Sequence, residues 1–346
     1  MKGTVAGAKA LVLARTLIIA AVGALVFNLA NLPLPFLLGP MFACLLAALT
    51  GMAMRPPPLM GDLARTVLGV AIGASITPEL IGRLPQIGLS VALVPLFVAI
   101  IALIGVPYFR RVCRFDPATS YFAAMPGGLQ DMLAFGEEAG ADVRALSLIH
   151  ATRVLAIVSI APVILALGYG LALDNPVGSP ASEVPLLQLA IMAVCAILGW
   201  RLAGWVELFG AAILGPLILA TIASLGGFIT MRPPAEAILA AQFFIGLSVG
   251  VKYAGVTARE LRVDIAASLG FCVILAIVSV IFAEAVALAG LAPPVDALLA
   301  FAPGGQAEMV VLALVAGTDV AFVVAHHLVR IVTVIIGAPI ARRFLP

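Results

Sequence analysis

The chain has 346 residues, of which 63% are hydrophobic and only 10% charged, with a formal net charge of +2. An average soluble domain carries about 25% charged residues. Too few polar side chains exist here to build a solvated shell, and a mean hydropathy of +1.22 marks a polytopic membrane protein. The charge balance, with no basic patch coupled to aromatics, excludes nucleic-acid binding as a main role. Four scattered cysteines (Cys44, Cys113, Cys195, Cys272) form no CxxC and exclude a disulfide scaffold.

Taken in chain order, Lys2, Lys9 and Arg15 precede an apolar run from Thr16 to Ala30. No small-x-small cleavage site ends that run, so it is expected to stay as a first helix with its basic end in the cytoplasm. Further spans are predicted at 33–54, 60–78, 86–108 and 144–169, the first span covering 11–30. After a proline-rich linker without Lys or Arg, five more follow at 186–204, 208–230, 236–254, 265–290 and 320–344. Two segments remain, around 116–138 and 295–316. Each has a helix-breaking Pro-Gly-Gly in its middle.

The chain is a duplication. Met125-Pro-Gly-Gly-Leu-Gln-Asp131-Met132 returns as Ala302-Pro-Gly-Gly-Gln-Ala-Glu308-Met309, an offset of 177 residues (302 − 125). At the same offset Arg55 maps to Arg232, Gly69 and Gly73 to Gly246 and Gly250, Gly140 and Asp142 to Gly317 and Asp319, His150 to His327, Arg153 to Arg330 and Pro162 to Pro339. Leu38-Gly39-Pro40 maps to Leu214-Gly215-Pro216 with a one-residue slip. The first repeat is placed at 1–171, the linker at 172–185 and the second repeat at 186–346.

Charge distribution sets the expected topology. If each Pro-Gly-Gly segment turns back on itself, only Arg83 and Arg232 face outward and Arg153 and Arg330 lie within spans. The other 15 of the 19 Lys and Arg (19 − 2 − 2) are then cytoplasmic. If the segments cross instead, Arg201, Lys252, Arg259 and Arg262 move outside, against the positive-inside rule. The expected fold is therefore an all-α polytopic membrane protein. Two inverted-topology repeats each hold five transmembrane helices plus one re-entrant Pro-Gly-Gly hairpin, and both termini are cytoplasmic.

Irregular backbone at membrane depth is tolerated only inside protein or beside a watery cavity. Gly127, Gly128, Gly304 and Gly305 would let a ligand approach the backbone, and the helix N-termini after Pro126 and Pro303 favour an anion. His150 with Arg153, and His327 with Arg330, share one face of the last span in each repeat. Their nearest acidic partners in sequence are Asp131 and Glu308. A structural ion pair and a substrate site are both open, and the two histidines are candidates for proton coupling. Asp142 and Asp319 read as helix N-caps. Gly69-x3-Gly73 and Gly246-x3-Gly250 read as packing motifs, with Ser75, Gln242 and Ser248 as polar neighbours. His326, whose mate is Ile149, reads as packing or polar filler. Three histidines supply no copper or iron site, and no nucleotide-binding or hydrolase motif appears.

The duplicated unit of Pro-Gly-Gly-x2-(Asp/Glu)-Met, Gly-x-Asp-Val, His-x2-Arg and a final Pro resembles the AbrB-type membrane proteins, whose paired domain is known as the AbrB duplication. Members have been labelled ammonia monooxygenases and, elsewhere, regulators of gene expression. The resemblance implies a bacterial inner-membrane protein and supplies no substrate or catalytic residue. The expected function is a secondary transporter for a small anionic or zwitterionic metabolite, bound at the midplane between the repeats, with no enzymatic activity and no cofactor. The coupling ion, proton or sodium, stays open, as does the oligomeric state, a homo-oligomer included. The expected partners are that small molecule and the lipid bilayer. The alternatives are a membrane sensor acting indirectly on gene expression and, last, a membrane monooxygenase.

Overall fold

The computed structural model describes residues 2–342 apart from 77, 79–83, 174–176 and 209. Arg83, Arg343 and residues 174–176 of the linker therefore lie outside the described residues. Every regular element among those described is a helix: α1 (Lys2–Leu29), α2 (Pro35–Leu49), α3 (Met60–Gly73), α4 (Leu84–Val91), α5 (Val94–Pro107), α6 (Pro117–Ala124), α7 (Leu129–Glu138), α8 (Val143–Val163), α9 (Leu186–Trp205), α10 (Ala211–Leu225), α11 (Ala235–Val251), α12 (Ala266–Leu288), α13 (Pro294–Phe301), α14 (Gln306–Ala316) and α15 (Val320–Arg342).

Six helical runs among the described residues are long and apolar enough to cross a bilayer: Lys9–Leu29, Ile87–Val112, Val143–Gly168, Leu186–Trp205, Ala258–Leu288 and Val320–Gly337. The sequence led us to expect ten. The difference is α2, α3, α10 and α11, with 15, 14, 15 and 17 residues. At 1.5 Å per residue they reach about 21–26 Å, short of a hydrocarbon core of about 30 Å. Apolar residues do continue past α2 and α10, but Gly51 (φ +82°) and Gly227 (φ +75°) take the left-handed conformation that closes a helix.

Packing divides the chain into two compact units, each drawing on both repeats. The first comprises Met1–Gly82, Leu171–Val256 and Val310–Ala321; the second comprises Arg83–Gly170, Thr257–Met309 and Phe322–Pro346.

In the first unit the repeats exchange helices. α2 packs on α1 and on α11, α10 packs on α9 and on α3, and α3 packs on α11. Glycines make these crossings. Gly23 of α1 and Gly39 of α2 approach so closely that a side chain on either would strike the other's carbonyl, and Gly199 and Gly215 repeat the contact between α9 and α10. Gly69 and Gly73 rest on the carbonyls of Ile213 and Leu217. Gly246 and Gly250 rest on those of Leu37 and Met41, which are the duplication mates of Ile213 and Leu217. The small-residue motifs are therefore backbone-to-backbone packing, as expected. Ser75 and Ser248 donate to carbonyls one turn back in their own helices, and Gln242 is buried with its Nε2 unpartnered.

In the second unit α6 packs on α5, and α13 on α12. α8 packs on α6, α7 and α12. Phe97 of α5 meets Phe282 of α12 and Phe301 of α13 edge-on, with ring centroids 5.2 and 5.3 Å apart. These interlocked rings fix the outer helices on which the two broken segments lean.

Overpacking a backbone crossing costs about 1–3 kcal/mol. Gly246→Val, whose new side chain would strike the Leu37 carbonyl, is expected to lower the melting temperature of purified protein. Gly88→Ala, at a helix position with no neighbour within 4 Å, is expected to leave it unchanged or raise it. Differential scanning fluorimetry in detergent measures both.

Candidate functional site

The broken segments follow the sequence closely. Asp116 caps α6 by accepting from the Thr119 N–H at 2.9 Å. The helix then stops at Met125 (φ −72°, ψ 127°), because a residue before proline is pushed out of the helical region. α13 ends in the same way at Ala302 (φ −62°, ψ 125°), before Pro303. Chain direction is regained at Gly128 and Gly305, where α7 and α14 begin. Those helices end at Gly140 (φ +75°) and Gly317 (φ +69°). Asp142 caps α8 through the Ala145 N–H at 3.0 Å, as expected, and Asp319 stands just before α15. Glu137 and Glu138 are exposed at the end of α7.

Each break strands backbone carbonyls. In an unbroken helix the Phe122 carbonyl would accept from residue 126 and the Leu299 carbonyl from residue 303, but both positions are proline and have no N–H, and the Phe122 carbonyl keeps a long bond of 3.3 Å from the Met125 N–H. His150 Nε2 donates to Phe122 O at 3.1 Å, and His327 Nε2 to Leu299 O at 3.0 Å. Arg153 then spans the break, donating to Met125 O at 3.1 Å and to Gly127 O at 2.8 Å. Arg330 donates to Ala302 O at 2.8 Å and Gly304 O at 2.9 Å. Histidine thus replaces the donor that proline lacks, and the planar guanidinium fork holds the carbonyls on either side of the proline. All four side chains are buried, Arg153 at 3% and Arg330 at 4% exposure.

Both guanidinium groups are committed to the carbonyls that flank the prolines, a target the sequence did not suggest. Asp131 is half-buried in the first turn of α7. Glu308 folds back over the start of α14, where a side chain on Gly305 would collide with its carboxylate.

The two tips are not equivalent. Arg330 also donates to His327 Nδ1 at 3.1 Å, so both ring nitrogens of His327 are in use. His150 Nδ1 is buried without a partner, as are Arg153 Nε, Arg330 Nε and Gln306 Nε2. Pro126 and Gly127 are buried, and Gly127 lies against Met132 and Val334 of α15, one turn beyond Arg330. Gly304 lies against Met309. The first tip thus touches the helix that braces the second. Among the described residues no three His, Cys, Asp or Glu are grouped to hold a metal.

One buried polar pair escaped the sequence reading. Ser90 Oγ lies 2.7 Å from His326 Nε2, and His326 Nδ1 donates to Phe322 O at 2.8 Å. Neither residue has a polar duplication mate (Ala267, Ile149), so the repeat pattern gave no signal for it.

Leaving a buried carbonyl without its donor costs about 1–3 kcal/mol. Arg330→Gln is expected to speed amide exchange across residues 302–308 by about tenfold or more, with little change in α1 or α9. Hydrogen–deuterium exchange with mass spectrometry reads this directly.

The sequence was also compared with known proteins. The family model described as transition state regulatory protein AbrB matches residues 36–346. An uncharacterised Bacillus subtilis protein, YhjN, is 27% identical over 94% of this chain and 91% of its own length. An Escherichia coli protein named "Putative regulator AbrB" is 24% identical over 92% of each chain. With its helical membrane architecture and a match over nearly all its length, the chain belongs to the AbrB family.

Proposed function

We propose that this protein is a secondary transporter for a small anionic or zwitterionic metabolite, and a carrier rather than an enzyme. The observation that carries this reading is the pairing of two broken, glycine-lined helix segments in one unit, with two buried arginines that donate to backbone carbonyls and, at the second tip, to an imidazole. Burying charge is costly, and a ligand anion would offset that cost. Gly127 and Gly304, with their flanking prolines Pro126 and Pro303, would give up backbone contacts to a ligand once the side chains packed on them move aside. Gly128, Gly305, Asp131 and Glu308 form the first turns of the helices that follow. Alternating access would move this unit as a body.

We further place the repeats in opposite orientation, with the broken segments re-entrant, in a bacterial inner membrane with both termini cytoplasmic. In this arrangement the four short helices α2, α3, α10 and α11 cross as well, and the positive-inside count made on that basis and the helix exchange in the first unit support it. The coupling ion, proton or sodium, is left open. His327 is a poor proton carrier here, because a proton at Nδ1 would break its bond from Arg330.

The second reading is a membrane sensor that affects gene expression indirectly, favoured by the name of the Escherichia coli relative. A membrane monooxygenase stands third, and stoichiometric copper or iron in purified protein would revive it.

Two experiments test these proposals. In a cysteine-accessibility assay, Pro57→Cys should be labelled only from the cytoplasmic side and its mate Pro234→Cys only from outside; labelling from the same side rules out inversion. In proteoliposomes loaded for a screen of small carboxylates and amino acids, Arg153→Ala, Arg330→Ala and Gly127→Val should each cut uptake at least about tenfold. Unchanged uptake in all three would remove the site.

A further inference from the structure

The unpartnered atoms around the tips form a chemical imprint, and it deepens the transport reading on which it rests. Three of them are pure donors. Arg153 Nε and Arg330 Nε each carry one hydrogen, and Gln306 Nε2 carries two. The fourth is an acceptor. His150 Nε2 is committed as a donor to the Phe122 carbonyl, which can only accept, so in the neutral ring Nδ1 presents a bare lone pair. Buried polar atoms in native proteins are almost always hydrogen-bonded, so four orphans around two tips call for an explanation.

Their placement is specific. His150 and Arg153 stand three residues apart on α8. Gly127, whose carbonyl Arg153 holds, lies against Val334, four residues beyond Arg330 on α15, and Gln306 follows the second tip, two residues beyond the Gly304 carbonyl that Arg330 holds. The imprint also departs from the duplication. The mate of Gln306 is Leu129, and the Nδ1 of His327 is already filled by Arg330 while that of His150 is not. A purely structural brace would have no reason to leave one copy open and complete the other.

We propose that the ligand of this site is a small carboxylate bearing an O–H or N–H donor beside the carboxyl group. Its oxygens take the free Nε–H groups of Arg153 and Arg330 and the Gln306 amide, and its donor fills Nδ1 of His150. A hydroxy acid and an amino acid share this chemistry; a plain dicarboxylate lacks the donor. A site built around a buried acceptor rejects an analogue without the matching donor, because that acceptor is then left dry and unpaired.

The test is on the ligand side first. Full-length protein in detergent is titrated calorimetrically with L-malate, L-aspartate and succinate, which share a four-carbon dicarboxylate frame and differ in the donor. Wild type is expected to bind malate or aspartate at least tenfold more tightly than succinate, and which of the two wins identifies the donor as hydroxyl or ammonium. In His150→Leu the preference, read as the ratio of the affinities, should fall to within about twofold. Because the wild-type comparison needs no variant, a misfolded His150→Leu leaves it intact, and His150→Asn gives a second reading of the collapse. Equal binding of all three, or a preference that survives both substitutions, overturns the donor assignment and leaves the transport reading standing. Absence of binding by all three, together with no uptake of any carboxylate or amino acid, brings down both.

Discussion

Two prolines, Pro126 and Pro303, take a donor away from the backbone, and most of the site follows from how that loss is met. Inside a membrane protein no bulk water is at hand to satisfy an orphaned carbonyl. The chain answers with a side-chain brace on the neighbouring helix, a histidine for the carbonyl that proline abandons and an arginine for the pair of carbonyls flanking it. The same geometry recurs 177 residues later (330 − 153), with every bond within 0.3 Å of its mate. A buried guanidinium is a costly element of any fold, and this fold braces two of them within one unit.

The brace explains why charge and irregular backbone occur together. Arginine is chosen over lysine because its flat fork can meet two carbonyls at a fixed spacing. Histidine is chosen because one ring nitrogen can donate while the other remains available. In the second repeat that availability is used internally, by Arg330. In the first it is left open.

Much of this was legible in the sequence. The Pro-Gly-Gly breaks, the His-x2-Arg face and the Asp142 cap could be read from repeats and spacing, and the breaks fall where the pattern puts them. The target of the arginines could not. Opposite charges three residues past each tip suggest an ion pair with Asp131 and Glu308, whereas an orphaned carbonyl has no letter in the sequence. Span lengths were overread for α2 and α10 because apolar composition continues beyond the glycines that end those helices. The Ser90–His326 pair was hidden because a lone serine in an apolar run carries no pattern.

The exchange of helices in the first unit bears on how such a protein could arise and be built. α2 is glycine-sealed to α1 of its own repeat and also to α11 of the other, and α3 has its glycine-sealed partner in α10 of the other repeat. A single-copy forebear would have exposed those sealing faces and needed a twin molecule to cover them, so homodimerisation would have preceded gene fusion. On the ribosome, too, the early short helices must wait unsealed until translation of the later repeat delivers their counterparts.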